Sequence, residues 1–160
     1  VPLLAKTAAA HPDYRIVVTG HSLGGAVATL AAAQLRSEGW VVSLYSYGAP
    51  RVGGRALSAF ISGQAGGNYR VTHRNDPVPK LPLLIMGFVH VSPEYYVDAV
   101  NGAEVGAGDV RVYGGAVSFE GNGRWLEIDA EAHRWYFGRV YGCEDRVKRE
   151  VGGWEIVGRF

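Results

Sequence analysis

Ser22 sits at the centre of Gly20-His21-Ser22-Leu23-Gly24, a G-x-S-x-G run between an apolar, β-branched stretch (Tyr14 to Thr19) and an Ala-rich stretch (Ala26 to Leu35). A strand, a sharp turn and a helix in that order make a nucleophile elbow, which holds a serine hydroxyl exposed at the tip of the turn. The chemistry such a hydroxyl performs is acyl transfer. The helix start directs N–H groups and partial positive charge at the site, and the Leu23 N–H is positioned to stabilise the oxyanion that develops on an attacked carbonyl. Glycines at 20 and 24 answer an expected steric need, a Cβ at either position crowding the turn. The plainer alternative is a strand-to-helix turn with Ser22 as an N-cap.

A serine hydroxyl needs a base within hydrogen-bond reach, and the base needs an acid to orient it. On α/β-hydrolase sheets the three follow in the order Ser, Asp or Glu, His. Asp76 lies just past an apolar run at 69–74, where the carboxyl end of a parallel strand collects functional groups. Asn75-Asp76-Pro77 is equally a good turn initiator, and the two roles are compatible. Five histidines compete for the base. His11 belongs to a helix-ending turn, His21 to the elbow and His73 to a strand core. His90 and His133 both follow Asp76, and chain order alone places His133 only modestly ahead.

The elements that must position these groups follow from pattern. Residues 2–11 end a helix, 14–19 form a buried strand, 24–36 a small-residue helix, 41–47 a second strand, 53–64 a second helix and 69–74 a third strand. This alternation predicts a parallel sheet with right-handed crossovers. Three prolines make 77–82 irregular. Short strands are expected within 85–99 and 109–119, and an aromatic helix after His133, through Trp135, Tyr136, Phe137 and Tyr141. Residues 144–160, with a Gly152-Gly153 break, read as an exposed or loosely attached extension.

Composition excludes several classes. The 160 residues are 48% hydrophobic and 19% charged, with net charge +1, the profile of an ordinary globular domain. No Lys/Arg cluster points to nucleic acid, and no apolar run reaches the ~18 residues of a membrane span. No signal peptide is visible and the first residue is Val1, which fits a chain whose beginning is missing. Cys143 is the single cysteine. The metal-ligand spacings and phosphate-loop ending are missing too, so no metal or cofactor is expected.

Five ordered blocks carry a resemblance. They are Arg15 to Ala26 around Ser22, Tyr45-Ser46-Tyr47-Gly48-Ala49-Pro50-Arg51-Val52-Gly53, Arg70 to Pro79 around Asp76, His90-Val91-Ser92-Pro93-Glu94-Tyr95-Tyr96, and His133-Arg134-Trp135-Tyr136-Phe137-Gly138. Together they resemble the fungal class 3 lipases, from about residue 10 to Cys143. The resemblance implies an α/β-hydrolase with Ser22 as nucleophile, Asp76 as acid and His133 as base, and makes His90 structural. It implies hydrolysis of carboxylic esters, typically triacylglycerols at an oil–water interface, with feruloyl-type esterase activity as the alternative on the same scaffold and a non-catalytic interaction module as the alternative of another class. It implies a secreted protein.

Against that family, the N-terminal half of the sheet, the lid and the second oxyanion donor are expected to be absent, so that 1–143 form the C-terminal part of the domain and 144–160 an extension. Cys143 resembles a cysteine whose disulfide partner belongs to that missing half. The strand at 14–19 would then present an open apolar edge, and the isolated chain would be marginally stable and nearly inactive, one lost oxyanion donor costing ~10²–10³ in rate. Val78, Leu81, Leu83, Leu84 and Ile85 are candidates for an acyl pocket, ordinary packing being at least as good an account of most. Arg134, where an apolar residue is common, is placed to narrow substrate choice.

Overall fold

A computed structural model describes residues 2–141, 149–151 and 154–156. After helix α1 (Pro2–Ala10), strand β1 (Ile16–His21) enters the elbow and helix α2 (Leu23–Ser37) leaves it. Strand β2 (Val42–Tyr47), helix α3 (Arg55–Gly63) and strand β3 (Asn68–His73) complete the alternating part. Strands β4 (Glu94–Val97) and β5 (Val110–Tyr113) follow. The five form one sheet in the order β1-β2-β3-β4-β5. Its first four strands are parallel and β5 is antiparallel to β4.

Small residues explain the close seat of α2 on this sheet. Ala28 and Ala32 pack on Val42 and Leu44, flanked by Ile16, Val18, Leu35 and Trp40. Without large side chains between them, helix and strands approach closely and remove apolar surface from water. Ala33 meets Ile61 and Val91 where α3 joins the core. A third cluster, Val71, Val97, Ala99 and Tyr136, ties the 130s segment to the sheet.

The far end of the chain departs from the predicted pattern. Only residues 94–97 and 110–113 of the two longer stretches are strand. The aromatic helix expected after His133 does not form. Glu131–Arg134 make one 3₁₀ turn, and Trp135 then bridges Arg139. Phe137 and Gly138, at φ 53° and 148°, carry the backbone out of the helical region there. Beyond this, β6 (Arg149–Val151) and β7 (Trp154–Ile156) pair antiparallel, while Cys143 and the remainder of 144–160 lie outside the described residues.

Strand β1 is an edge of the sheet among the described residues. Val17 on it is 53% exposed, and Leu23, Val27 and Leu30 on α2 are exposed at helical spacing. This is the open apolar edge expected of the 14–19 strand. Among the described residues, no helix is long and apolar enough to cross a membrane.

Candidate active site

Ser22 occupies a conformation that its neighbours enforce. Its φ of 56° and ψ of −129° are strained for a residue with a Cβ. The Ser22 N–H donates to Tyr47 O at 2.9 Å, and its carbonyl accepts from Gly25 at 2.9 Å and Ala26 at 3.3 Å. The turn is thus tied to β2 on one side and to the first turn of α2 on the other. A Cβ on Gly20 would lie 2.2 Å from Gly24 O, so glycine is required there. At Gly24, by contrast, a Cβ would meet nothing within 4 Å, which corrects the expectation of crowding at that position. The second obligatory glycine is Gly25, whose Cβ would come 2.8 Å from Ala49 Cβ and 2.9 Å from Gly20 O.

The structure brings Ser22, His133 and Asp76 together. His133 Nε2 lies 2.8 Å from Ser22 Oγ, and His133 Nδ1 lies 2.9 Å and 3.1 Å from the two Asp76 carboxylate oxygens. With Nδ1–H donating to Asp76, Nε2 is left to accept the serine proton. Asp76 is fully buried, whereas the His133 side chain is 18% exposed. The Asp76 Oδ1 also accepts from the Val78 N–H at 2.8 Å, the Asx turn anticipated for Asn75-Asp76-Pro77. Asn122 secures the same loop, its side-chain amide donating to the carbonyls of Arg74 and Asp76 at 2.8 and 2.9 Å.

Two participants escape reading from sequence. Tyr136 donates its hydroxyl to Asp76 Oδ2. Burial first, and then the Asp76 charge, push its phenol well above the usual range, so it stays a protonated donor. Gly48, at φ 56°, leaves the space these groups occupy. A Cβ there would lie 2.8 Å from the Tyr136 hydroxyl, 3.0 Å from Asp76 Oδ2 and 3.1 Å from His133 Cε1. The available signals were indirect: Tyr136 falls three residues after His133 in the last of the five blocks, and Gly48 follows the strand at 41–47, two residues before Pro50.

The other histidines are accounted for elsewhere. His90 is buried with Nε2 donating to Pro79 O at 2.6 Å. Desolvation, then the Arg70 charge, hold its pKa well below the ordinary value, so it is neutral. His21 is half-buried, stacks obliquely 4.5 Å from the His133 ring, and places Nε2 2.8 Å from His133 O; burial lowers its pKa. His73 is buried between Ala132 O and Ala99 O.

Leu23 opens α2, where its N–H has no intrahelical acceptor and its side chain is 70% exposed. Of the proposed acyl-lining residues, Val78 is partly exposed and Leu81, Leu83 and Ile85 are exposed, and Arg134 lies on the surface. Leu83 and Leu84 instead border a cavity of about 270 Å³ whose walls include Arg51, Arg70, His90 and Glu94 and none of Ser22, Asp76 or His133. Among the described residues, no group of three or more His, Cys, Asp or Glu is placed to hold a metal ion.

A parallel sheet with a strained serine between strand and helix, an acid after a later strand and a histidine near the far end defines an α/β-hydrolase. The family model for lipase (class 3) matches residues 2–86. The secreted mono- and diacylglycerol lipase A of Penicillium camembertii is 55% identical over 141 residues, covering 86% of this chain and 46% of that protein. The secreted mono- and diacylglycerol lipase 1 of Fusarium solani is 45% identical over 140 residues, covering 87% and 41%. The crystal structure of a mono- and diacylglycerol lipase from Aspergillus oryzae superimposes with TM-score 0.83 at 48% identity, covering 86% of this chain and 53% of that one. This chain belongs to the class 3 lipase family, and it spans about half the length of the curated relatives it matches.

Proposed function

We propose that this protein hydrolyses carboxylic esters of glycerol through an acyl-enzyme on Ser22. The observation that carries the reading is the unbroken hydrogen-bond relay from Ser22 Oγ through His133 to a buried Asp76, at 2.8 and 2.9 Å, in a chain of a lipase family. His133 takes the Ser22 proton as Oγ attacks the ester carbonyl. Asp76 fixes the ring's tautomer and stabilises the imidazolium, and the Leu23 N–H at the positive end of α2 holds the oxyanion. His133 then gives the proton to the leaving alcohol. Water, activated by the same imidazole, attacks the acyl-serine, and Ser22 recovers its proton as the acid departs.

The substrate class proposed is partial glycerides, because the relatives from Penicillium and Fusarium carry the name mono- and diacylglycerol lipase. This narrows the triacylglycerol expectation, and neither of these two relatives is named for feruloyl esters. Residues 1–143 are taken as the lipase-like part, with 144–160 outside it. Val78, Leu81 and Arg134 are taken to border the acyl chain. Secretion is proposed on the same relatives' names. Titrating the carboxylic acid released from monoolein, diolein, triolein and methyl ferulate tests the reading. Partial glycerides turned over faster than triolein, with Ser22→Ala inert, is the expected outcome. Hydrolysis that persists in Ser22→Ala would overturn it, and preference for methyl ferulate would overturn the substrate class.

A further inference from the structure

His133 hangs from a segment with little regular structure of its own, a four-residue 3₁₀ turn followed by a single bridge. The Ala132 carbonyl closes the turn by accepting from the Trp135 N–H at 3.3 Å and has a second lone pair to spare. It and the His133 carbonyl each meet a histidine ring from the sheet. His73 Nδ1 lies 2.9 Å from Ala132 O, and His21 Nε2 lies 2.8 Å from His133 O. These carbonyls belong to the two consecutive peptide units that flank the His133 Cα. Each peptide unit is planar, so fixing the plane on either side fixes φ and ψ at the residue between them, and with them the direction of its side chain.

Both rings come from rigid places. His21 ends β1 and directly precedes Ser22, and His73 ends β3, three residues before Asp76. The His73 ring is 2% exposed and its other nitrogen lies 2.7 Å from Ala99 O in the segment after β4; both contacts are hydrogen bonds only when each ring nitrogen carries a hydrogen, since both carbonyls accept. The strand ends that carry the nucleophile and the acid thus also carry the rings that grip the backbone of the base. The geometry points to His73 and His21 as positioning residues for His133, a pair of imidazole clamps on the peptide units either side of it. This rests on the reading of Ser22, His133 and Asp76 as an ester-hydrolysing relay.

Amide side chains separate the contacts. The Asn Nδ2 group stands where the His Nδ1 nitrogen does, and the Gln Nε2 group where His Nε2 does. His73→Asn therefore keeps a donor for Ala132 O and gives up Ala99 O, while His73→Gln does the reverse. At position 21 the order inverts: His21→Gln keeps the donor to His133 O and His21→Asn loses it. The experiment measures kcat and KM on p-nitrophenyl butyrate, Tm, and the low-field Nδ1 proton of His133 by NMR, for all four variants.

The expected result is a loss of about tenfold or more in kcat, with KM within about twofold, in His73→Gln and His21→Asn. The conservative partners, His73→Asn and His21→Gln, rescue most of it. The low-field proton weakens in the first pair and persists in the second. A purely structural role predicts losses that follow Tm and the same amide preference at both positions, and that result overturns the clamp. His21 is only half-buried, so its pair decides the matter if the His73 variants fold poorly. A wild-type chain that shows the low-field proton but no turnover contradicts the hydrolase reading and leaves the clamp to the NMR comparison. Turnover without the crossed preference sinks the clamp alone.

Discussion

Tyr136 donates its hydroxyl to Oδ2 of Asp76, 60 residues earlier in the chain. Asp76 therefore has three donors, the others being the Val78 N–H and the His133 ring. A fully buried carboxylate is tolerable only when its lone pairs are satisfied in this way. Tyr136→Phe leaves Oδ2 with the His133 ring as its one remaining donor inside the protein. The expected cost is ~1–3 kcal/mol of stability, read by urea unfolding. A reorientation of Asp76 toward other donors would also lower kcat by about tenfold, the equivalent of ~1.4 kcal/mol in the transition state.

Gly48→Ala drives a methyl group into the same three side chains. At φ 56° the new residue is strained as well as crowded. Displacement of the imidazole by even ~1 Å is expected to reduce kcat on the order of 10²-fold, with KM little changed. Steady-state kinetics on a short-chain ester checks this, and a variant with wild-type kcat would mean that the site tolerates the shift.

The two glycines after Ser22 behave oppositely. Gly25→Ala presses a Cβ against Ala49 and the Gly20 carbonyl, an overpacking expected to cost ~1–3 kcal/mol. Gly24→Ala meets nothing and lies in the first turn of α2, where restricting the unfolded chain is expected to add ~0.4–1 kcal/mol of stability. Thermal denaturation of the two single variants should move Tm in opposite directions.

Much of the site could be read in advance because its spacing is chemical. The strand, turn and helix around Ser22 and the strand ending before Asp76 follow from local pattern. Choosing His133 over His90 needed the family blocks, since both follow the acid and only packing buries His90 under Pro79 O. Tyr136 and Gly48 were illegible for a different reason. Their roles exist only where segments far apart in sequence meet, and no periodicity encodes a gap left for another residue's hydroxyl. The aromatic run after His133 misled in the same way: its spacing suits a helix, but anchoring Tyr136 in the core cluster with Val71 and Val97 demands an irregular path.

Stability should fall in mild acid, and His90 contributes to the slope. Its folded pKa is depressed by burial and by Arg70, well below the ordinary value of about 6.5. The unfolded chain therefore takes up a proton at His90 that the folded chain refuses. Stability from this group is complete above about pH 6.5 and is lost as pH falls below it. His90→Gln retains a donor for Pro79 O but cannot titrate. Its unfolding free energy between pH 6 and 5 should fall less steeply than the wild type's, by as much as roughly 1.4 kcal/mol per pH unit. Equal slopes would show that His90 is protonated in the folded protein. His21, also depressed by burial, is common to both chains and cancels in the comparison.

The rate at which a fluorophosphonate labels Ser22 in the wild type, His133→Ala and Asp76→Asn, with the adduct mapped by mass spectrometry, measures most directly whether the relay activates the serine. The account predicts a single adduct on Ser22 and a rate lower by at least about 10³-fold in each variant. An adduct elsewhere, or Ser22 labelled equally fast without His133, would contradict it.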